Sequence, residues 1–223
     1  MLGREAILSG VKVIQMTKVD STQDELRRRL ESTFLHKPLC VVAQSQSKGR
    51  GSRGNVWDNE QALMFSFAYN APLILPDDVP AQSVAIFLGC IIRDILRESG
   101  SSAWLKYPND LYVLDKKAGG ILIERVKGVL LCGVGINVAS ERFGKIDIAL
   151  DEEKFFARLF EVLQNPPSWK QIFSNYKLEF WRNYPFSFHI GDELVSLRDA
   201  FLLEDGGVNI GGRVVYNLRE CGV

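Results

Sequence analysis

The sequence predicts an α+β fold: a mixed, largely antiparallel sheet packed with helices, followed by a small all-β C-terminal unit. Three observations carry that expectation. From Ala103 the strand-like runs AWLKY, LYVL, ILIERV and VLLCGVGINV follow one another with turn signals between them, the pattern of a meander. Two amphipathic stretches, 151–164 and 168–181, then come in succession and read as helices. After Pro185 the composition shifts to short strand-like runs, ELVSL, FLLEDGGVNI and RVVYNL, separated by glycine pairs. The expected division is a main domain over residues 1–186 and a small β domain over 187–223.

Taken in order, VKVIQM (11–16) reads as a first strand. A helix follows, with Thr22 and Glu25 as a capping box ahead of the apolar pair Leu26 and Leu30, spaced i to i+4. LCVVAQSQ (39–46) and ALMFSFAYN (62–70) are apolar and read as strands. A connection rich in Pro and Asp, 72–80, leads into a helix from about Ala81 to Glu98. The meander's turns are expected at Pro108-Asn109, at Asp115 to Gly120 and at Lys127-Gly128. In the next helix Phe155, Phe156, Leu159, Phe160 and Leu163 share a face. The last helix opens on a capping box, Ser168 with Gln171, and buries Trp169, Ile172, Phe173 and Tyr176. The sequence has no internal repeat.

Composition narrows the functional classes. Lys plus Arg equal Asp plus Glu at 27 each, so no global field draws the chain to nucleic acid or to an acidic membrane. Any anion site must be local. Cys40, Cys90, Cys132 and Cys221 are scattered, with no C-x-x-C and only His36 and His189 as further soft ligands. That pattern argues against a zinc site or a disulfide framework and suits a reducing cytosol. The N-terminal residues lack a signal-peptide pattern. The apolar run Val84 to Ile92 falls far short of the roughly 20 residues a membrane span needs. A soluble, cytoplasmic protein is the expectation.

Five segments carry chemistry. SKGRGSRGNVW (47–57) contains G-x-G-x-x-G at Gly49, Gly51 and Gly54. A dinucleotide fingerprint needs those glycines to open a helix, and here NVWDNEQ leads into a strand. The P-loop pattern fails as well, because Asn55 follows Gly54. What remains is a pliant backbone bearing Lys48, Arg50 and Arg53, suited to bidentate binding of phosphate or carboxylate. A solvated hairpin loop is the alternative. WLKYPND (104–110) presents Lys106, Asn109 and Asp110 at a strand end, where ammonium, amide and carboxylate could hold a nucleotide and its metal. A plain Pro-Asn turn would look the same. DKKAGGILIE (115–124) sets Lys117 just before Gly119 and Gly120, as an anion contact or as an ordinary hairpin tip. CGVGINV (132–138) puts glycines inside an apolar strand, which marks a bulge or close approach of ligand or backbone. DSTQ (20–23) offers hydroxyls to a ligand's polar head or simply caps a helix.

In this order and spacing, over about residues 13 to 138, the five segments resemble the biotin–protein ligase family. The resemblance implies a class II synthetase-like catalytic domain with an SH3-like C-terminal domain. It implies that biotin is activated with ATP and Mg2+ to biotinyl-AMP, then transferred to a lysine of a biotin carboxyl carrier domain of a biotin-dependent carboxylase. By the same resemblance Lys117, Arg50 and Asp110 are catalytic, with Asp110 also the candidate metal ligand. Ser21, Thr22, Gln23, Gln46, Gly49, Arg50, Gly51, Ser52, Lys117, Gly119, Gly120 and Gly133 match the biotin side. Arg50, Arg53, Trp57, Lys106, Asn109, Asp110, Lys117 and Asn137 match the nucleotide side.

The pattern departs from the family's in places. Ser52 stands where the family often has a second arginine, which implies weaker retention of the adenylate. Tyr107 stands where Trp is common, and the C-terminal domain is short. About 20 residues precede DSTQ, too few for the winged-helix domain of repressor-type members, so no nucleic-acid binding is expected. By the same resemblance, a homodimer joined sheet edge to sheet edge is a candidate assembly. A lipoate–protein ligase or octanoyltransferase of the same fold, and a non-catalytic biotin- or nucleotide-binding module, are the alternative readings.

Overall fold

The computed structural model describes residues 4–32, 35, 37–49, 61–70, 74–140, 144–190 and 192–216. Arg50, Gly51, Ser52, Arg53 and Trp57 lie outside the described residues.

An eight-stranded sheet organises the chain. Its strands are β1 (Arg4–Leu8), β2 (Val11–Val19), β3 (Leu39–Gln46), β4 (Ala62–Asn70), β5 (Trp104–Lys106), β6 (Asp110–Val113), β7 (Lys116–Val126) and β8 (Val129–Asn137). They lie in the order β1-β2-β3-β4-β8-β7-β6-β5. β2 and β3 run parallel across helix α1 (Thr22–Ser32), and the other neighbours pair antiparallel, giving the mixed sheet the sequence predicts. β3 and β4, on either side of the glycine loop, are antiparallel neighbours, so the loop does not sit in a βαβ unit.

The two faces are covered unequally. Helices α2 (Val84–Glu98), α3 (Glu152–Gln164) and α4 (Trp169–Glu179) belong to the layer over one face. Strand alternation aims Leu63, Phe65, Phe67 and Tyr69 of β4 and Leu130, Cys132, Val134 and Ile136 of β8 into that layer. There the Phe65 ring meets Phe155 and Phe156 edge-on at 5.9 and 4.9 Å. Gly89 lets α2 approach closely, because a Cβ there would lie 2.8 Å from Leu105 Cδ1. Arg93, with its side chain 1% exposed, could not stay charged there unpaired. It bonds Glu179 of α4 and Asp94, and Arg97 adds a second contact to Glu179 at 2.7 Å. The opposite face carries α1, whose Leu26 packs on Val41, Ala68 and Leu131. Among the described residues, the rest of that face carries no helix.

The C-terminal unit is all β, as expected. It holds the hairpin β9 (Ser187–Ile190) and β10 (Glu193–Ser196), then a small sheet of β11 (Phe201–Leu202), β12 (Val208–Ile210) and β13 (Arg213–Val215). It docks where α2 begins: Ser83 Oγ donates to Asp205 O at 2.5 Å and Trp169 Nε1 to Glu204 O at 2.7 Å. Phe188, Leu197, Leu202 and Val208 join the main core.

Some local expectations need correction. The cap of α1 is Ser21, whose Oγ accepts from Asp24 N, and not Thr22. Glu25 reaches forward to Arg28 and Arg29, so there is no box with Thr22. The box at Ser168 and Gln171 is present. The stretch 116–120 lies in strand β7, so the expected turn is confined to Leu114-Asp115, with Leu114 at φ +54. Helices 81–98 and 168–181 are each part 3-10: residues Ala81–Ser83 precede α2, and Phe180–Asn183 follow α4. The turn at Lys127-Gly128 is where the sequence puts it, with both residues at positive φ. β1 went unread. Among the described residues no helix is long and apolar enough to cross a membrane.

Candidate active site

Register puts one residue from each of seven strands in a single row on the open face. The row reads Met16, Ala43, Met64, Gly135, Gly120, Asp110, Lys106, each the ladder partner of the next. At its middle Gly135 and Gly120 face each other with no side chains, so among the described residues the row dips to bare backbone there, a shallow trough. The adjoining row is Ser66, Gly133, Leu122.

One end of the trough is a hydrogen-bonding cluster at the start of α1. Gln46 Oε1 accepts from Thr22 N at 2.7 Å and from Thr22 Oγ1 at 3.3 Å, which fixes the amide's orientation. Thr22 Oγ1 lies 2.8 Å from Ser66 Oγ, and Gln46 Nε2 donates to Met64 Sδ at 3.1 Å. Gln23 leans over Gly133: a Cβ on Gly133 would fall 2.0 Å from Gln23 Oε1. Gln23 Nε2 is buried with no hydrogen-bond partner among the described residues, an unmet donor at this end. The glycine loop begins beside the cluster, because Ser47 N donates to Val19 O and Lys48 N to Asp20 O. Asp20 is itself held by Arg28, whose guanidinium keeps the carboxyl far below its usual range. Gly49 is buried at this point.

At the other end is a charge pair. Lys117 Nζ lies 2.7 Å from Asp110 Oδ1, with the lysine side chain 40% and the aspartate 18% exposed. A shift in register between Leu111 and Tyr112 brings the two side chains to one face. Burial, with the Asp110 carboxylate adding to it, raises the neighbouring Tyr112 phenol to about 12, so it stays protonated. The two ends are three strand spacings apart, about 14 Å at ~4.8 Å per strand.

Other residues expected at the site also bond its frame. Asn109 Nδ2 donates to Ile121 O while Ile121 N donates to Asn109 O, locking the β5–β6 turn to β7. Lys106 Nζ donates to Ser187 O at 3.0 Å and lies 5.8 Å from the Tyr112 and Phe186 rings. Asn137 Nδ2 donates to Gly144 O at 2.8 Å, and Gly144 passes close over Lys116 and Lys117. Gly119 faces away from the trough, since a Cβ there would meet Gly135 O at 2.7 Å and the Leu111 side chain. Ser66, Met64 and Gly135 were not singled out from sequence. Only cross-strand register brings them to the trough, although Gly135 sits in the glycine-bearing CGVGINV run.

Residues 15–140 match the model of the biotin/lipoate A/B protein ligase family. The chain belongs to this family. Among curated members, the bifunctional ligase/repressor BirA of Salmonella typhimurium is 32% identical over 148 residues, 60% of this chain and 43% of that protein. The chain thus spans less than half the length of that relative. Among solved family structures, the biotin acetyl coenzyme A carboxylase synthetase of Helicobacter pylori, with bound biotinylated ATP, is 41% identical with a TM-score of 0.87. That match covers 92% of this chain and 98% of the other. The biotin protein ligase of Aquifex aeolicus, in complex with biotin and ATP, shares the fold at a TM-score of 0.70 and 24% identity, over 88% and 90% of the two chains.

Proposed function

We propose that this protein is a biotin–protein ligase: it joins biotin to ATP, releasing pyrophosphate, and passes the biotinyl group from biotinyl-AMP to a carrier-domain lysine, releasing AMP. The observation that carries the reading is the trough, hydrogen-bonding at one end, glycine-floored in the middle and charge-paired at the other. Biotin has the matching order of groups: a polar ureido head, a compact apolar bicycle and a chain ending in carboxylate. Family membership and the Helicobacter pylori likeness support the same choice.

In this reading Ser21, Thr22, Gln23, Gln46 and Ser66 hold the ureido head. Gly133, Gly135 and Gly120 let the bicycle lie on bare backbone. Biotin's carboxylate oxygen must attack the α-phosphorus although both partners are anionic. The Lys117 ammonium lowers that repulsion and afterwards meets the charge on the departing phosphate oxygens. Asp110 orients Lys117 and would take a proton from the incoming amine. By the family resemblance, the guanidinium groups of Arg50 and Arg53 would meet the intermediate's charged groups beside Gly49, with Trp57 on the nucleotide side.

No group of three or more His, Cys, Asp or Glu side chains suited to a metal occurs among the described residues. A lone carboxylate, Asp110, fits magnesium that arrives on the nucleotide's phosphates and keeps most of its waters. Such an ion would supply charge neutralisation on the phosphates. We also place the protein in the cytoplasm: Cys40, Cys90 and Cys132 are free and buried, and burial raises all three thiols, Cys90 to about 12.

Pyrophosphate–ATP exchange with biotin, lipoate and octanoate offered separately tests the reading. Exchange with biotin alone, followed by labelling of a carrier domain, is expected. Exchange with lipoate or octanoate instead would keep the family and overturn the substrate. Silence with all three acids would favour a binding module.

A further inference from the structure

Asn183 lies outside the family-matched residues, yet it reaches the turn that carries Asp110. It ends the 3-10 turn after α4 and is 0% exposed. Its Oδ1 accepts from Tyr107 N at 2.7 Å and its Nδ2 donates to Phe180 O at 3.1 Å, so the amide is used at both ends and its orientation is fixed. Its own carbonyl accepts from Phe186 N.

Tyr107 opens the three-residue link, Tyr107-Pro108-Asn109, that joins Lys106 to its ladder partner Asp110. β7 grips the far side of that link through Asn109. Asn183 grips the near side, and the segment behind it continues the clamp. Ser187 O takes Lys106 Nζ, Phe186 packs tilted against Trp104 and edge-on to Tyr112, and Phe188 lies edge-on to the Tyr107 ring at 5.0 Å. The link is therefore held between β7 and a segment more than 70 residues further along the chain.

We propose that Asn183 is a positioning residue for the Asp110–Lys117 pair. It never touches substrate, and it acts by fixing the turn from which Asp110 projects. This rests on the biotin ligase reading for its catalytic consequence and on the hydrogen bonds alone for its placement. The two ends of the trough have separate supports. Loss of Asn183 should therefore slow the chemical step while leaving biotin's head group held by Thr22, Gln46 and Ser66.

The test compares the full chain with Asn183→Leu, of similar volume and without hydrogen bonds, and with Asn183→Asp, whose buried carboxyl, kept protonated by desolvation, retains an oxygen for Tyr107 N–H and an O–H for Phe180 O. Rates are expressed per folded enzyme, with the folded fraction taken from thermal melts. For Asn183→Leu we expect kcat of biotin-dependent exchange to fall tenfold or more with KM for biotin within twofold. Asn183→Asp should recover most of that loss, and Asn183→Ala, which also lacks the bond to Tyr107 N–H, serves as the test if the leucine variant does not fold. Crystal structures should show the Lys117–Asp110 contact opened in the leucine variant and kept in the aspartate variant. Unchanged kcat per folded enzyme, or an intact ion pair in Asn183→Leu, would overturn the proposal. If the unaltered protein shows no exchange with biotin, the ligase reading falls, and the ion-pair geometry of the variants still decides the placement.

Discussion

Gly133→Ala isolates the hydrogen-bonding end of the trough. The new Cβ would sit 2.0 Å from Gln23 Oε1, 3.2 Å from Gln23 Cδ and 3.4 Å from Ser66 Oγ. The backbone cannot retreat, because Gly133 is laddered to Ser66 on one side and to Leu122 on the other. The Gln23 amide has to swing away, within surroundings that leave it 3% exposed. Overpacking of this kind costs about 1–3 kcal/mol. At roughly 2–4 °C per kcal/mol for a chain of this size, Tm should fall by about 2–12 °C. If the amide serves biotin, the lost hydrogen bond is worth about 0.5–1.5 kcal/mol, a rise in KM for biotin of about 2- to 13-fold. Melting curves and exchange assays titrated in biotin and in ATP separate these effects, and KM for ATP should hold within about twofold. Adding Gln23→Ala should restore Tm while leaving biotin binding weak. An unchanged Tm would refute the packing argument, and an unchanged KM for biotin would remove Gln23 from the binding site.

Lys117→Met should lower the rate of adenylation by about 10²–10³. Because its pair with Asp110 is partly exposed, stability should move by less than about 1 kcal/mol, so a large loss of stability by denaturant titration would recast the pair as structural. Asp147 gives a pH signature. Burial opposes its ionisation, but hydrogen bonds from Ser101 and Ser102 win and hold the carboxyl at about 2, below the ordinary 3.8. Its contribution is complete above the unfolded value and is lost as pH falls from about 4 towards about 2. Asp147→Asn should accordingly lose stability near neutrality and show a shallower acid limb, read from Tm against pH. Ser52→Arg should slow release of biotinyl-AMP by about tenfold or more through one added charge-assisted contact, and unchanged release would sink that idea.

The sequence was most legible where side-chain periodicity and backbone chemistry agree. The phenylalanine face of α3, the box at Ser168 and the Lys127-Gly128 turn are all where their residues put them. β1 escaped because it is an edge strand with four of its five residues exposed, so no buried alternation marks it. Thr22 looked like a cap by type and spacing, but its hydroxyl is taken by Gln46 and Ser66, partners 24 and 44 residues away. Gly119 and Gly120 read as a turn since glycines usually break strands, whereas here one relieves contact with Leu111 and the other floors the trough. The charge pair was readable as two residue types and not as a pair, because the register shift that joins them is a property of the β6–β7 ladder. Asn183 gave no local sign at all. Its partner Tyr107 lies 76 residues upstream.

The Lys127-Gly128 turn, at the far end of β7 and β8 from the trough, sets which residues form the trough's floor. Val126 and Val129 close the hairpin, and counting inward from them places Gly120 opposite Gly135 and Leu122 opposite Gly133. Side chains alternate between faces, so a single residue inserted in that turn, if absorbed by sliding β8 by one position, would carry Val134 and Ile136 to the open side and bury the glycines. Bare backbone would be replaced by branched hydrocarbon, with every catalytic side chain unaltered. On the proposed function, the hairpin's length would thus itself set the size of ligand the trough accepts. In a laboratory lineage, indels at this remote bend would close the binding surface as completely as substitutions within it, and would pass unnoticed in any survey confined to residues that touch the ligand.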